Sequence, residues 1–515
     1  MAATSAPRKQ QAADVAAWLD SGQALPGDGS VRRVDTHAAM IFLKGDRAWK
    51  LKRPVNLGYL DFSTPGRRRK ALEAELRLNR RTAPGLYRAV HPVTRDMHGQ
   101  LRIGGPGAPV DWLLEMTRFP DEALLASMAD RGALDDDLLL RLADGIVAFH
   151  ADAAVCPSDD GAGPIRAVIE GNARSFARVS DVLDEGKARA LTQRLLAAVE
   201  RHTALLDARA SAGRIRHCHG DLHLANIALL DGIPTPFDCL EFDPALATTD
   251  ILYDLAFLLM DLWERGLRHA ANLVLNRYLD LSAQDEPGIG LIPLFMAVRA
   301  SIRAHVLAAQ YAQHPDAEGR AARARRYLDL ATALAAPTPP RLVAIGGLSG
   351  TGKSTLARSV GGEIGGAPGA RILRSDVLRK RLAGVRPDVR LPASAYGAGT
   401  GAPVHAEIAR LAEASLATGI SVIADATFMQ PADRSAISAM TARQGCRFDG
   451  LWLHAPDAER IHRVDHRPPD ASDADAAVAR AQSDRHLPQP SDWAIVETGG
   501  PFDALRARAL ALLMA

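Results

Sequence analysis

The stretch Gly347-Leu348-Ser349-Gly350-Thr351-Gly352-Lys353-Ser354 fits the pattern G-x-x-x-x-G-K-[ST], and the apolar run Leu342-Val343-Ala344-Ile345 leads straight into it. A strand that ends in a glycine-rich turn and opens into a helix presents unpaired backbone N–H groups at a positive helix end. That is the arrangement a polyphosphate needs. The spacing predicts that Lys353 reaches the β- and γ-phosphates and that Ser354 holds Mg²⁺. Gly347, Ser349, Gly350, Thr351, Gly352 and Thr355 complete the expected cradle, and ATP with Mg²⁺ is the expected ligand.

A second phosphoryl-transfer signature lies far upstream. His219-Gly220-Asp221-Leu222-His223-Leu224-Ala225-Asn226 is followed, after a short predicted hairpin, by Phe237-Asp238. An Asp, an Asn five residues on and a further Asp beyond a hairpin have the spacing of a kinase-like catalytic loop and metal site. On that reading Asp221 accepts the proton of an attacking hydroxyl, while Asn226 and Asp238 hold Mg²⁺. Two catalytic centres in one chain are expected.

Length and composition agree. At 515 residues the chain exceeds one hydrophobic core, and 47% apolar with 24% charged residues is ordinary for globular protein. The 62 basic and 60 acidic residues leave a net charge of +2, and aromatics make up 5%. Neither a basic track nor a stacking groove for nucleic acid is indicated, so small-molecule hydroxyl acceptors are the expected partners. Cys156, Cys218, Cys239 and Cys446 show no zinc or disulfide spacing. Residues Met1 to Gln11 lack an apolar signal core, and Asp254 and Asp261 interrupt the most apolar stretch, Ile251 to Trp263. A cytoplasmic protein without a membrane span is expected.

The clearest boundary is Ala336-Pro337-Thr338-Pro339-Pro340, a proline-rich linker. Residues 1–335 read as a strand-rich start (about 30–116) followed by a mainly helical half (about 120–335). Residues 341–515 alternate apolar strands with helices, the pattern of a parallel α/β sheet. Within the first part, Ala48-Trp49-Lys50-Leu51-Lys52 reads as one arm of a hairpin with Lys50 and Lys52 on one face. Either lysine could meet the α/β-phosphates, oriented by Glu73 or Glu75 on the helix that starts near Pro65. Val110 to Met116 reads as the strand that leads to the second lobe, so the backbone near Met116 is expected to meet adenine. Asp250 and Asp254, at i and i+4 on one helix, are expected to brace the catalytic segment.

The residues His219 to Asn226, Asp238 and Thr249-Asp250-Ile251-Leu252-Tyr253-Asp254-Leu255-Ala256 resemble the aminoglycoside phosphotransferase and choline-kinase-like superfamily, whose hallmark reads H-G-D-x-H-x-x-N, I-D-[WF] and D-x-x-x-D-L-A. The resemblance implies a two-lobed α+β protein-kinase-like fold and ATP-dependent phosphorylation of a small-molecule hydroxyl. It makes Asp221 the base, Asn226 and Asp238 metal ligands, and His219 and His223 shapers of the loop. Phe237-Asp238-Cys239-Leu240-Glu241 departs from the usual I-D-W-E, and no glycine-rich nucleotide loop stands near residues 30 to 45. The stretch Lys50 to Tyr87 resembles an uncharacterised bacterial branch more than the antibiotic-modifying enzymes, so the acceptor does not follow from the family name.

From Arg341 onward the chain resembles the small P-loop kinases, grouped with zeta-toxin-like, gluconate-kinase-like and polynucleotide-kinase-like proteins. Together the halves resemble bacterial fusions of an aminoglycoside-phosphotransferase-like part with an AAA-type ATP-binding part. The resemblance implies that Asp376, ending Ile372-Leu373-Arg374-Ser375-Asp376, faces the acceptor hydroxyl as general base. It implies that Asp425, ending Ser421-Val422-Ile423-Ala424-Asp425, orders Mg²⁺ or the acceptor; helix capping is the alternative role for both acids. Arg460, Arg463 and Arg467 fall on one helical face, and Arg463 and Arg467 are expected in a lid over the transferred phosphoryl group. The other readings are a nucleotide-gated regulatory protein and a nucleic-acid end kinase.

Overall fold

The computed structural model describes residues 6–36, 38–56, 60–241, 243–313, 319–396, 399–466, 470–483 and 490–514. The chain forms two compact units. One comprises Met1–Asp135, Ala148–Pro157 and Gly213–Asp254; the other comprises Asp136–Val147, Ser158–Ala212 and Leu255–Ala515. The proline-rich stretch at 336–340 falls inside the second unit, so the helices of 255–335 share a body with the sheet that follows them.

The first unit is built on an antiparallel sheet of β1 (Arg32–Asp35), β2 (Ala39–Lys44), β3 (Arg47–Lys52), β4 (Tyr87–Arg95), β5 (Leu101–Ile103) and β6 (Ala108–Thr117), in the order β1-β2-β3-β6-β4-β5. Alternation along β3 sends Trp49 and Leu51 into a cluster with Met40, Phe42, Val93 and Leu113 and leaves Lys50 and Lys52 on the opposite face. The helix Pro65–Asn79 packs there. Its start is set by Thr64, whose hydroxyl accepts from the Arg67 N–H, and by proline in the first turn. Its buried Arg68 grips Asp111 through two bonds of 2.8 Å, which fixes the helix against β6.

Below that sheet, β7 (Ile215–His217) leads into the loop that carries Asp221, and β8 (Ile227–Leu230) pairs with β9 (Ile233–Pro236). Asp231 and Gly232 close this hairpin with φ of 49° and 77°. A two-residue turn with both φ positive matches strand twist, and Asp-Gly is a preferred pair for it. The hairpin therefore brings its two open ends, Asn226 and Phe237-Asp238, side by side. β10 (Thr248–Asp250) pairs with β7 and starts the helix that carries Asp254.

The second unit contains a parallel sheet of β11 (Arg341–Gly346), β12 (Arg371–Arg374), β13 (Val422–Asp425), β14 (Arg447–His454) and β15 (Ala494–Glu497), ordered β12-β13-β11-β14-β15. Leu342 and Ala344 face one apolar cluster and Val343 and Ile345 the other, as expected of a strand covered on both faces. The helix Arg268–Leu281 lies against this body. Asn276 Oδ1 accepts from Ile372 N–H (2.7 Å) and from Arg371 (2.9 Å), and the buried Arg371 also binds Glu286 (2.6 and 3.0 Å) and Asp280 (2.8 Å). Among the described residues one helical stretch, Ala283–Ala312, is long and apolar enough to cross a membrane by composition, and most of its apolar window is buried inside the protein. The first unit and the helices that continue it are α+β, and the sheet beyond them is α/β, as the sequence predicts.

Candidate active sites

In the first unit the two lysines do not compete for a partner; they share one. Glu75 Oε1 lies 2.6 Å from Lys50 Nζ, and Glu75 Oε2 lies 2.7 Å from Lys52 Nζ. Glu73 is exposed and pairs with Arg69. Lys50 also reaches Asp238 (2.7 Å), and Lys52 reaches Glu241 (2.5 Å). Burial works against the Lys50 charge, but Asp238 and Glu75 more than offset it and hold the ammonium group well above the ordinary lysine value. The same burial disfavours ionised Asp238, and Lys50 and Lys52 win, keeping its carboxyl below the usual range.

Asp238 sits at φ 61°, a left-handed conformation unusual for a residue with a side chain. The surroundings impose it. The Asp238 N–H donates to the Tyr87 hydroxyl (3.0 Å), and the Cys239 N–H donates to Asn79 Oδ1 (2.8 Å). Strain held in this way clusters at functional sites.

Opposite, Asp221 accepts from Asn226 Nδ2 (2.9 Å) and lies 3.4 Å from His223 Nε2. The loop's shape comes from Asp254, whose carboxylate accepts the N–H groups of His219 (3.1 Å) and Gly220 (2.8 Å), with His150 Nε2 3.2 Å away. His219 donates through Nε2 to the Phe237 carbonyl (3.0 Å), tying the loop to the segment just after β9. Burial opposes charge on His219, but the Cys239 sulfur, Asp254 and Asp221 outweigh it and push its pKa up to about 9. Met116 is a buried residue of β6, paired with Ala48 and Tyr87, in the cluster that borders Phe119 and Phe237.

In the second unit Gly347, Gly350 and Gly352 take φ of 137°, 86° and 89°. A Cβ at Gly347 would stand 2.6 Å from the Leu453 carbonyl oxygen, and one at Gly350 2.4 Å from that of Arg460, so only glycine fits. Lys353 opens the helix Lys353–Gly361 and its Nζ lies 3.0 Å from the Leu348 carbonyl. The Ser354 hydroxyl donates to Asp425 Oδ2 (2.6 Å) at the end of β13. Thr351 Oγ1 donates to the Leu348 carbonyl, which firms the turn, and Thr355 follows in the helix. Asp376 stands in the first turn of the helix Ser375–Leu382. Burial pushes its carboxyl above the ordinary value, against Arg374 and a hydrogen bond from Ser472.

The arginines part company. Arg460 is buried beneath the loop and donates to the Ser349 carbonyl (2.9 Å) and to Asp457 (2.6 Å). Arg463 is engaged instead with Thr498, through bonds of 3.1 and 2.7 Å, and with Glu459. Arg467 lies outside the described residues. Two contacts have no signal in the sequence. Gln482 Oε1 accepts the Ser349 N–H at 2.7 Å, in the cradle itself. Asp470 takes two bonds from Arg374 (3.1 and 2.7 Å) and one from Arg358 (2.9 Å).

Oxygen donors dominate both sites, which suits Mg²⁺. Asn226, whose Nδ2 donates to Asp221, and Asp238 could hold it in the first unit, and Ser354 and Asp425 could hold it in the second.

Residues 342–488 match the family model described as an AAA domain. The uncharacterized protein Rv2004c of Mycobacterium tuberculosis is 32% identical over 480 residues, covering 91% of this chain and 92% of the relative. The chain belongs to the same family as that protein. Among solved structures, the chain is similar to a choline/ethanolamine kinase family protein from Mesorhizobium loti (16% identity, 62% of this chain, 99% of the other, TM-score 0.35). It is also similar to a sugar kinase from Janibacter sp. HTCC2649 (22% identity, 34% of this chain, 95% of the other, TM-score 0.26). In this chain the Lys50 strand, the Glu75 helix and the Asp221 loop lie in one unit, and the matched AAA-domain segment lies in the other.

Proposed function

We propose that this protein is an ATP-dependent phosphotransferase with two nucleotide sites, each of which moves the γ-phosphoryl group to a hydroxyl of a small cytoplasmic molecule. One observation carries the reading: in each unit a lysine, a carboxylate and a polar side chain of the kinds that ATP and Mg²⁺ need stand in one neighbourhood. In the first, Lys50 and Glu75 adjoin Asp238, and Asn226 adjoins Asp221. In the second, Lys353 and Ser354 stand at the glycine cradle, with Asp425 bonded to Ser354.

Asp221 and Asp376 each accept the proton of an acceptor hydroxyl as its oxygen bonds to the γ-phosphorus and the bond to the β-phosphate oxygen breaks, with ADP leaving. Lys50 and Lys353 orient the phosphates. Met116 borders the adenine side of the first site. Mg²⁺, when bound, neutralises charge on the phosphates. Arg463 and Arg467 complete the second site only if the lid rearranges, since Arg463 is held by Thr498.

The full-length chain incubated with γ-labelled ATP and a metabolite pool tests this. Wild type is expected to label two sets of products, with Lys353→Ala losing one set and Asp221→Asn the other. If both variants retained both sets, neither assignment would stand; calorimetry showing a single nucleotide per chain would remove one site.

A further inference from the structure

A cleft of ≈ 290 Å³ opens within the second unit, between residues 137–144, the helix Arg268–Leu281 and the edge strand β12. Its described lining reaches Arg374 and Asp470 but includes none of the phosphate loop, Asp376 or Asp425. Arg374 marks the divide: its Nε lies 3.5 Å from Asp425 on the metal side, while its other nitrogens hold Asp470 on the cleft side. The cleft is therefore a separate space, one ion pair away from the Ser354–Asp425 pair.

The chemistry of its walls selects a ligand class. Arg277 holds Asp144 through bonds of 2.6 and 2.8 Å, and Asp470 is held by Arg358 and Arg374 together. Charges already matched in this way offer a charged ligand no net attraction, and displacing a partner would strand a charge. They still offer hydrogen bonds. A guanidinium has five N–H donors and a carboxylate about four acceptor sites; Asp470 fills its four with Arg374, Arg358 and the Ala471 N–H, whereas Asp144 and the arginines keep directions for a hydroxyl. A hydroxyl uses either, as acceptor from arginine or donor to aspartate. Leu140, Leu273 and Ile372 add apolar wall between the ion pairs. That surface suits the C–H face of a ring whose rim carries hydroxyls. The volume equals roughly ten water molecules, enough for one monosaccharide-sized molecule.

We propose that this cleft binds a neutral polyhydroxylated small molecule, a sugar or cyclic polyol, at a site separate from both phosphoryl-transfer centres. The test is calorimetry on the full-length chain without nucleotide, using glucose, ribose, myo-inositol and glycerol as probes, with gluconate and glucosamine as charged counterparts. At least one neutral ring should bind more tightly than its charged counterparts. Leu140→Trp fills the cleft from a half-buried position, and Asp144→Asn unpairs Arg277; each should weaken binding roughly tenfold or more, the worth of a charge-assisted bond. Absence of binding by every neutral ring would overturn the proposal, as would tighter binding of a charged probe. Binding that survives Leu140→Trp but is lost in Asp376→Asn would place the ligand at the acceptor end and equally sink it. Because no phosphoryl transfer is read, failure of the kinase reading would leave this result unaffected.

Discussion

Glu75 pairs with two buried ammonium groups, accepting a hydrogen bond from Lys50 and forming an ion pair with Lys52, so the first site holds Lys50 and Lys52 against Glu75, Asp238 and Glu241. The balance decides what each substitution costs. Replacing Lys52 with Met leaves three carboxylates, the fully buried Glu75 among them, facing one lysine and should destabilise the fold by about 3–5 kcal/mol. Glu75→Gln leaves two charges of each sign, keeps the shape, and should cost only about 1–2 kcal/mol. Denaturant unfolding of the two variants checks the order, and a larger loss in Glu75→Gln would refute this electrostatic account. Asp376 carries a pH prediction. Its pKa is raised by burial, so the ionised base exists only above that raised value and is lost as pH falls through it. Turnover measured in an Asp221→Asn background, which leaves the second site alone, should show an acid limb above the ordinary aspartate value of 3.8. A limb at or below that value would remove Asp376 from the role.

At the scale of elements, the helix Ala476–Ser483 does more than follow the arginine-bearing helix Asp457–His466. The side-chain Oε1 of its Gln482 accepts the Ser349 N–H, one of the amides that a phosphate oxygen would take under the proposed function. A nucleotide must displace it. Removing the competitor by Gln482→Ala should tighten binding of a non-hydrolysable ATP analogue roughly two- to tenfold, the worth of one hydrogen bond. Unchanged or weaker affinity in a fluorescence titration would count against the competition. The Asp231-Gly232 hairpin shows the opposite kind of element, one whose geometry is readable locally because two positive φ angles suit that dipeptide. The arginine helix was readable only as a periodicity. Period alone places Arg460 and Arg463 near one face, yet packing buries Arg460 under the loop and hands Arg463 to Thr498.

At the scale of the whole molecule, the helices of 268–291 and the P-loop sheet share one body through Arg371. Its guanidinium binds Glu286, Asp280 and Asn276 with no exposure to solvent. Arg371→Met takes this partner from Asp280 and leaves Glu286 to Arg381, and should cost about 3–5 kcal/mol, read as a lowered thermal midpoint of the full-length chain. Loss of less than about 1 kcal/mol would mean that the pairing contributes no more than a surface bridge. Nothing near Arg371 announces this. The partners lie 85 and 95 residues away in the chain, and a buried arginine on a strand reads in isolation as an exposed edge residue.

The glycine-rich loop, the turn that carries Asp221 and Asn226, and Asp238 beyond its hairpin were legible as local structure in the chain by itself, because each depends on residues a few positions apart whose backbone geometry is locally determined. The sharing of Glu75 by two lysines, the plug of Gln482 and the Asp470 bridge beside the cleft arise only when distant segments pack. Charge pairing in a buried site depends on which groups exclude water together, and that is a property of the assembled core.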